Sequence, residues 1–354
     1  MVGQGSYRDF TCFISKLLPD LQIQDKSQCF PLYYYEEAAA DAPELDELAA
    51  DADGLAGTAA GIENNSIRGR SDVENYSSAD TSTAKRLRRK DAITDETLTA
   101  FRRVYPRAFA DYQAKIDKLQ KQHRSLAQFS DCGLYSRPKD AGEELTKEDV
   151  FFYVYGLLHS PEYRGRFAEN LKKELPRIPF AKDFLAFAQT GRKLAQLHLE
   201  YETGPLYPLE ERYISEEPSL RRDPGRLVKM RWGKGKAVTD AKGKKIVPED
   251  KSVLVYNDNL ALCGIPERAH DYVVNGRSAL EWLIYMYQVK TDKDSGIVND
   301  PNLYSEDPRY VVDLIKRVAY VAVETVKLVE ALPAPEELTP AAGMLPAVWQ
   351  GQQN

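Results

Sequence analysis

A short polar segment of the chain combines side chains that suit a polar ligand. Residues 290–299 contain cations, carboxylates, hydroxyls and amides, with Ile297 and Val298 as the apolar exceptions. Such donors and acceptors are too costly to bury as a core, and they complement the base edges and phosphates of nucleic acid. An ordinary solvated loop is the alternative, and it stays open at this point.

A helix is predicted to position this segment. Ser278 followed three residues later by Glu281 forms a capping box, in which each side chain satisfies a backbone N–H group at the helix start. The run from Ala279 to Met286 is apolar on almost every side. This pattern predicts a buried helix with almost no solvent face.

The middle of the chain is rich in positive charge. Residues 221–251, called the basic ribbon below, contain eleven Lys/Arg against four Asp/Glu. The spacing of apolar residues changes here from a period of 3.6 residues to a period of 2, which predicts strands. One face is predicted to carry Val228, Met230 and Trp232, and the other Lys229 and Arg231. A basic β-ribbon suits a DNA major groove or a phosphate backbone, and a lysine-rich solvated hairpin is the alternative.

The candidate DNA-binding residues are assigned by their chemistry. Lys and Arg of the ribbon are predicted to neutralise phosphates: Arg221, Arg222, Lys229, Arg231, Lys234, Lys236, Lys244 and Lys245. Predicted donors to guanine are Arg277 and Lys290 or Lys293, predicted partners of adenine are Asn257, Asn259 and Asn299, and Asp292 is a predicted acceptor from cytosine. For Trp232 and Tyr256, core packing is favoured over base contact.

Helical signals dominate the rest of the chain. The predicted helices are Thr94 to Leu126 with a kink or break at Pro106, Val150–Leu158 after a Thr146/Asp149 cap, Pro161 to Pro176 after Ser160, Phe184–Leu197, and Asp307 to Leu332. Strands are predicted at Val253–Tyr256 and Leu260–Leu262 around an Asn257–Asn259 turn. The fold class is therefore α+β, a mainly helical body with a small antiparallel sheet or β-ribbon.

Charge divides the chain into regions. The net charge is −6, but residues 36–53 hold eight Asp/Glu and no Lys/Arg, so the remainder is at +2. The predicted regions are 1–37, an N-terminal β segment packing on the main domain; 38–90, a disordered acidic and Ala-rich linker ending in a basic run; 91–332, the helical and β-ribbon domain; and 333–354, a flexible tail. The basic run Lys85–Lys90 is predicted to be solvated rather than phosphate-bound.

Several classes of function find no signal in the sequence. Four scattered cysteines and four scattered histidines form no metal motif or disulfide framework, which predicts no metal site and a cytoplasmic location. The sequence shows neither a signal-peptide pattern nor a long apolar run, so no membrane partner is predicted. Lys234 and Lys236 lack the P-loop pattern, and Pro248–Lys251 is a compressed form of a metal-dependent nuclease motif. Pro-Pro, required by the methyltransferase loop motif, is absent.

Six ordered blocks carry a resemblance to a known family. They are SQCFPLYYYEE (27–37), EDVFFYVYGLLHSPEYRGRFAENLKKELPRIPF (148–180), LHLEYE (197–202), VYNDNLALCGIP (255–266), DYVVNGRSALEWLIYMYQVKTDKDSGIVNDPN (271–302) and DPRYVVDLIKRV (307–318). Over residues 13–37 and 93–332 the chain resembles the C-terminal specificity domain of type ISP restriction-modification enzymes. In that family a short connection joins the two parts, so the acidic linker is a departure.

The resemblance implies sequence-specific recognition of double-stranded DNA on behalf of an adenine N6-methyltransferase and nuclease. It implies no catalysis by this chain and no cofactor in it. S-adenosylmethionine, ATP and Mg²⁺ would belong to missing family domains or to a partner methyltransferase, helicase and nuclease chain, so the chain would be a fragment, split subunit or remnant. Arg164 and Arg177 would serve folding or docking. The alternatives are a protein-interaction or regulatory module that keeps the fold without DNA binding, and a small stand-alone nuclease.

Overall fold

The structure is a computed structural model. It describes residues 2–3, 10–16, 28–37, 87–106, 144–213, 217–239 and 243–338. The chain divides into two compact units, one formed by Pro31–Ala92 and the other by Met1–Phe30 with Ile93–Asn354. The predicted tail from residue 339 onward and most of the predicted linker lie outside the described residues.

The α-helices in the described part of the chain are α1 (Asp95–Val104), α2 (Lys147–His159), α3 (Pro161–Arg166), α4 (Ala168–Leu171), α5 (Phe184–Leu199), α6 (Pro218–Arg222), α7 (Ala279–Met286) and α8 (Tyr310–Glu330). The strands are β1 (Val2–Gly3), β2 (Thr11–Cys12), β3 (Tyr33–Glu37), β4 (Leu87–Asp91), β5 (Glu210–Tyr213), β6 (Arg231–Lys234), β7 (Val238–Thr239), β8 (Lys245–Ile246), β9 (Glu249–Val255), β10 (Leu260–Cys263), β11 (Val273–Val274), β12 (Arg277–Ser278), β13 (Lys290–Thr291) and β14 (Val298–Asn299). Within the described residues, 3₁₀ helices span Glu267–His270 and Pro301–Leu303. The α+β class predicted from the sequence is confirmed.

The smaller unit contains an antiparallel hairpin. Strand β3 pairs with β4 along its whole length, with Tyr33 opposite Asp91 and Glu37 opposite Leu87. The predicted end of the linker at residue 90 is therefore wrong, because residues 87–90 belong to a strand. This pairing joins segments that are distant in sequence, so local patterns do not reveal it.

One hydrophobic cluster of the larger unit is helical and rich in aromatic residues. Helices α2 and α5 cross in close contact, and the Tyr153 and Phe184 rings stack with centroids 4.7 Å apart. The capping box predicted at Thr146 and Asp149 is present. The predicted second helix is shorter than expected, since it breaks at Phe167 and ends at Leu171 rather than at Pro176.

The other cluster packs a sheet against helices. The strand order is β5-β10-β9-β6, and every neighbouring pair is antiparallel. Leu254 and Leu262 lie opposite each other and are fully buried. Helix α8 contributes Leu314 and Ile315 to this cluster, while its C-terminal turn packs on the helical cluster through Val329. The last helix therefore links the two cores.

None of the helices in the described ranges is both long enough and apolar enough to cross a membrane. Among the same residues, no group of three or more His, Cys, Asp or Glu is arranged to hold a metal ion. Arg164 donates from Nε to the Leu158 carbonyl oxygen at 2.6 Å. This contact satisfies a carbonyl near the end of α2, which is a folding role for that arginine.

Candidate nucleic-acid interface

The basic ribbon presents its cations to solvent. All eight predicted phosphate ligands are exposed: Arg221, Arg222, Lys229, Arg231, Lys234, Lys236, Lys244 and Lys245. Met230 and Trp232 are buried on the opposite face, as the alternation predicts. Val228 contradicts the prediction, because 58% of its surface is exposed. Val228 lies before β6, and its backbone bonds to Val289 rather than to a strand of the four-stranded sheet.

Several of these cations have no acidic partner. Among the described residues, no carboxylate lies within ion-pair distance of Lys229, Lys234 or Lys236. Arg231 lies 3.8 Å from Asp258, whose side chain is almost fully exposed. Ion pairs elsewhere in the larger unit are tighter, as in Arg192–Asp149, Arg268–Glu330 and Arg309–Glu211, at 2.8, 2.7 and 2.6 Å. The positive charge of Lys229, Lys234 and Lys236 is thus available to an anionic ligand.

The two predicted adenine ligands in the turn between β9 and β10 differ in their hydrogen bonding. The Asn257 Nδ2 group donates to the Pro224 carbonyl oxygen at 2.9 Å, and its Oδ1 accepts from the N–H groups of Asn259 and Leu260 at 2.8 and 2.9 Å. Both ends of this amide are used inside the protein. The Asn259 side chain is exposed and makes no hydrogen bond within the described residues. The geometry therefore favours a structural role for Asn257.

Aromatic rings hold Arg277 in place. Its guanidinium lies 4.4 Å from the Tyr285 ring centroid and 5.3 Å from that of Trp282. The indole of Trp282 donates to the Val274 carbonyl oxygen at 2.7 Å, which fixes the ring. Arg277 is exposed, and stacking leaves its N–H groups free to point outward. An Arg held this way is suited to bidentate contact with an anion or a guanine edge.

The helix that carries these rings is less buried than the sequence predicts. Its capping box at Ser278 and Glu281 is confirmed. Leu280 and Leu283 are buried, but Tyr285 is 46% exposed and Met286 55% exposed. Helix α7 packs on the sheet cluster through one face, so an apolar run on the other face stays in solvent. The prediction of a helix with almost no solvent face is wrong.

An open groove runs beside this exposed face. It is lined by Lys229, Arg277, Glu281, Ile284, Tyr285 and Gln288. Lys229 and Arg277 were predicted to bind DNA, whereas Tyr285 and Gln288 were missed. The sequence signal for Tyr285 is a tyrosine near the end of the apolar run. The signal for Gln288 is an amide just before the polar segment.

The polar segment forms a protruding hairpin, called the 290–299 hairpin below. Lys290 pairs with Asn299 and Thr291 with Val298, and every residue from 290 to 299 is exposed. The Lys293 side chain lies in its turn, where it faces solvent. Lys290 therefore shares this hairpin with the other predicted base-reading residues of the segment, Asp292, Lys293 and Asn299.

Asp292 organises the turn of this hairpin. Its Oδ1 accepts from the N–H groups of Asp294 and Ser295 at 3.1 and 2.8 Å, and from the Ser295 hydroxyl at 2.8 Å. Hydrogen bonds from the Ser295 N–H and hydroxyl lower the pKa of this carboxyl. Gly296 has a φ of 71°, a conformation that favours glycine. The amide oxygen of Asn299 accepts from the Tyr304 hydroxyl.

Backbone contacts join the base of the hairpin to the ribbon. The Val289 N–H donates to the Val228 carbonyl oxygen at 2.9 Å. On the other side, Asn302 accepts from the Leu227 N–H at 2.9 Å and donates to its carbonyl oxygen at 2.8 Å. An ion pair joins Arg226 to Asp300. The two predicted groups of DNA-binding residues therefore lie on adjoining elements.

The residues of the compressed nuclease motif are engaged elsewhere. Asp250 accepts from the Ser252 N–H and hydroxyl at 3.0 and 2.6 Å, and Lys251 binds Glu281 at 2.7 Å. Both residues lie on the single strand β9, where consecutive side chains point to opposite faces. This arrangement gives no support to the nuclease alternative.

The fold and the site define an α+β domain with an exposed, positively charged ribbon beside an exposed polar hairpin. Comparison with known families identifies its kind: the type ISP C-terminal specificity domain matches residues 1–314, and the chain belongs to this family. No curated protein matches the chain.

Three solved structures are similar to the chain. A nuclease-deletion mutant of the type ISP restriction-modification enzyme LlaGI, in complex with a DNA substrate mimic, is 40% identical over 55% of this chain, with a TM-score of 0.46. The ATP-dependent type ISP enzyme LlaBIII bound to DNA is 34% identical over 61%, with a TM-score of 0.46. A cryo-EM structure of a DrdV–DNA complex is 25% identical over 95%, with a TM-score of 0.55. The chain spans 14%, 12% and 24% of those chains, respectively.

Proposed function

We propose that the chain recognises specific sequences in double-stranded DNA as the target-recognition module of a type ISP-like restriction-modification system. The observation that carries the proposal is the exposed basic ribbon, whose Lys229, Lys234 and Lys236 have no carboxylate partner among the described residues. Membership in the specificity-domain family supports it. The similar solved structures, which contain DNA or a DNA mimic, support it further.

In this proposal the two elements divide the work. Cations of the ribbon neutralise phosphates and set the position of the duplex, while side chains of the groove and hairpin read base edges. Arg277, held on its aromatic rings, is the best-placed donor to guanine, because its geometry is fixed before DNA arrives. Asn257 is left out of the reading set, since its amide is already satisfied.

The proposal assigns no catalysis to this chain. The chain spans at most 24% of the length of the similar solved chains. Cleavage, methyl transfer and nucleotide hydrolysis are therefore assigned to a further part of the system or to a partner chain. S-adenosylmethionine, ATP and Mg²⁺ are assigned to that partner as well. Such a system would work on DNA in the cytoplasm.

Salt dependence of binding tests the proposal. A random-sequence duplex titrated with the full chain at several salt concentrations should give a steep negative slope of log K against log salt, about −0.9 for each neutralised phosphate. Replacing Lys234 and Lys236 together by Ala should make the slope shallower by about two. The matched control is Lys173→Ala, which removes an exposed cation from the helical part of the larger unit and should leave the slope unchanged.

The same titration separates DNA recognition from a protein-interaction role. A chain that keeps the fold for protein contacts alone would fail to bind the duplex at low salt. If binding is absent both in the full chain and after deletion of residues 38–84, the proposed function is refuted.

A further inference from the structure

The side chains of two adjacent β-branched residues on the 290–299 hairpin are not packed into the core of the protein. Ile297 is 68% exposed and Val298 is 56% exposed. We propose, on the basis of the function proposed above, that these two side chains contact base methyl groups in the DNA major groove and so set part of the sequence preference.

Exposure of this kind has a cost unless something covers it. The hairpin is exposed over its whole length, so neither side chain buries its surface in the free chain. Neighbouring apolar side chains on a protruding element are typical of interaction sites. Each side chain would regain the free energy of apolar burial when a ligand covers it.

The surroundings of the two residues select duplex DNA as the ligand. The hairpin itself is neutral, because Asp292 and Asp294 balance Lys290 and Lys293, but its base is bonded through Val228 to the basic ribbon, which carries seven more cations than carboxylates. A polyanion is therefore drawn to this surface. The major groove is wide enough for a two-stranded ribbon, and it presents the thymine methyl group beside hydrogen-bonding base edges.

Strand pairing distributes the side chains suitably for such a groove. Val298 lies opposite Thr291 on one face, while Lys290 lies opposite Asn299 on the other. Ile297 directly precedes β14, between the turn and Val298. Val298 therefore shares a face of the hairpin with the polar Thr291, and Ile297 is exposed next to it.

The hairpin holds this arrangement in the free chain. Three hydrogen bonds to Asp292 close the turn, and the Asp292 N–H donates to the Ile297 carbonyl oxygen at 2.8 Å. A preorganised reader loses little conformational entropy on binding, so a single methyl contact has a measurable effect on affinity. Asp292 acts here as a positioning residue.

Uracil substitution tests the contact directly, since it removes the 5-methyl group of thymine and nothing else. A preferred duplex is first selected from a random library with the full wild-type chain. Each thymine is then replaced by uracil in turn. The wild type should lose about fourfold in affinity at one or more positions, which corresponds to one buried methyl group.

The variants I297A and V298A should respond differently. At the position that each residue contacts, the variant should be nearly indifferent to uracil, while its salt slope equals that of the wild type because no phosphate contact is lost. The matched control is Val273→Ala, a 46% exposed residue of β11, which should keep the full uracil response. Circular dichroism and urea unfolding establish that each variant folds.

The possible results are distinct. If the uracil response persists in the I297A/V298A double variant, or is absent from a wild type that selects a preferred sequence, the inference is overturned and the proposed function stands. If the wild type binds no duplex, or binds without sequence preference, the proposed function itself fails and the inference falls with it.

Discussion

At the scale of single residues, two glycines set the distance between α2 and α5. A Cβ atom added to Gly191 would lie 1.8 Å from the Phe152 carbonyl oxygen, and one added to Gly156 would lie 2.1 Å from that of Phe187. Both clashes involve backbone, so no side-chain rotation relieves them. We expect Gly191→Ala to force the helices apart and to lower the free energy of unfolding by roughly 1–3 kcal/mol. Urea denaturation measures the change.

Gly165 provides the matched control for this substitution. It lies in α3, it is exposed, and an added Cβ atom would meet no atom within 4 Å. Because alanine favours a helix over glycine, Gly165→Ala should raise the free energy of unfolding by up to about 1 kcal/mol. Equal effects of the two substitutions would contradict the close helix crossing.

The two asparagines of the β9–β10 turn are expected to behave differently. Asn257→Ala removes the partner of two backbone N–H groups and of the Pro224 carbonyl oxygen. It should lower the free energy of unfolding by roughly 1–3 kcal/mol. Asn259→Ala, two residues away and exposed, should change it by less than about 0.5 kcal/mol. Thermal or urea unfolding of both variants checks the contrast, and a stable Asn257→Ala variant would refute the structural role.

At the scale of elements, the sequence correctly predicted the features that depend on residues close together in the chain. The capping boxes at Thr146 and Ser278 are present because both partners lie within one helical turn. The burial of Tyr285 and Val228 was predicted wrongly, because burial depends on distant parts of the chain. Whether an apolar side chain is covered depends on which distant element packs against it, and neither periodicity nor composition encodes that.

Glu211 ties the edge strand β5 to the final helix. It accepts hydrogen bonds from Lys316 and Tyr213, and from Arg309 at 2.6 Å. Burial by itself raises the pKa of this carboxyl, but the hydrogen bonds outweigh burial and lower it to about 2. The carboxylate is therefore the form that stabilises the packing of β5 on α8.

The pH dependence of stability follows from this shift. The pKa of Glu211 is lower in the folded than in the unfolded chain, so its contribution is complete above about pH 4.5 and is lost as the pH falls toward 2. Glu211→Gln should be less stable than the wild type at pH 7 and should lose stability less steeply below pH 4.5. Urea midpoints at pH 7, 4 and 3 test this. Glu249→Gln, at an exposed site on β9, should follow the wild-type pH profile.

At the scale of the whole molecule, the pairing of β3 with β4 brings together the two residues that flank the acidic segment. Glu37 lies opposite Leu87, so the two ends of the intervening segment are held together. Insertions are tolerated best where the flanking chain ends are close, as at the tip of a hairpin. The resemblance predicts that this segment departs from the family pattern, but it does not reveal the pairing, because strand partners so far apart leave no local signal.

The charge of that segment affects the whole chain. Residues 38–84 carry ten Asp/Glu against two Arg, so replacing them with Asn-Gly changes the net charge from −6 to +2. Long-range repulsion of a polyanion falls accordingly. We expect the shortened chain to bind a random-sequence duplex more tightly at low salt, on the order of tenfold, with the advantage shrinking as salt screens the charges. Fluorescence anisotropy across a salt series measures both effects.

A length-matched variant separates charge from chain length. In it, the ten carboxylates of residues 38–84 are replaced by Asn and Gln, which keeps the size of the segment and removes its acidity. If electrostatics controls the effect, this variant should bind at least as tightly as the shortened chain, because loss of ten carboxylates changes the net charge from −6 to +4 while the length stays the same. Wild-type affinity in the variant without these carboxylates, together with tighter binding by the shortened one, would instead assign the effect to steric exclusion.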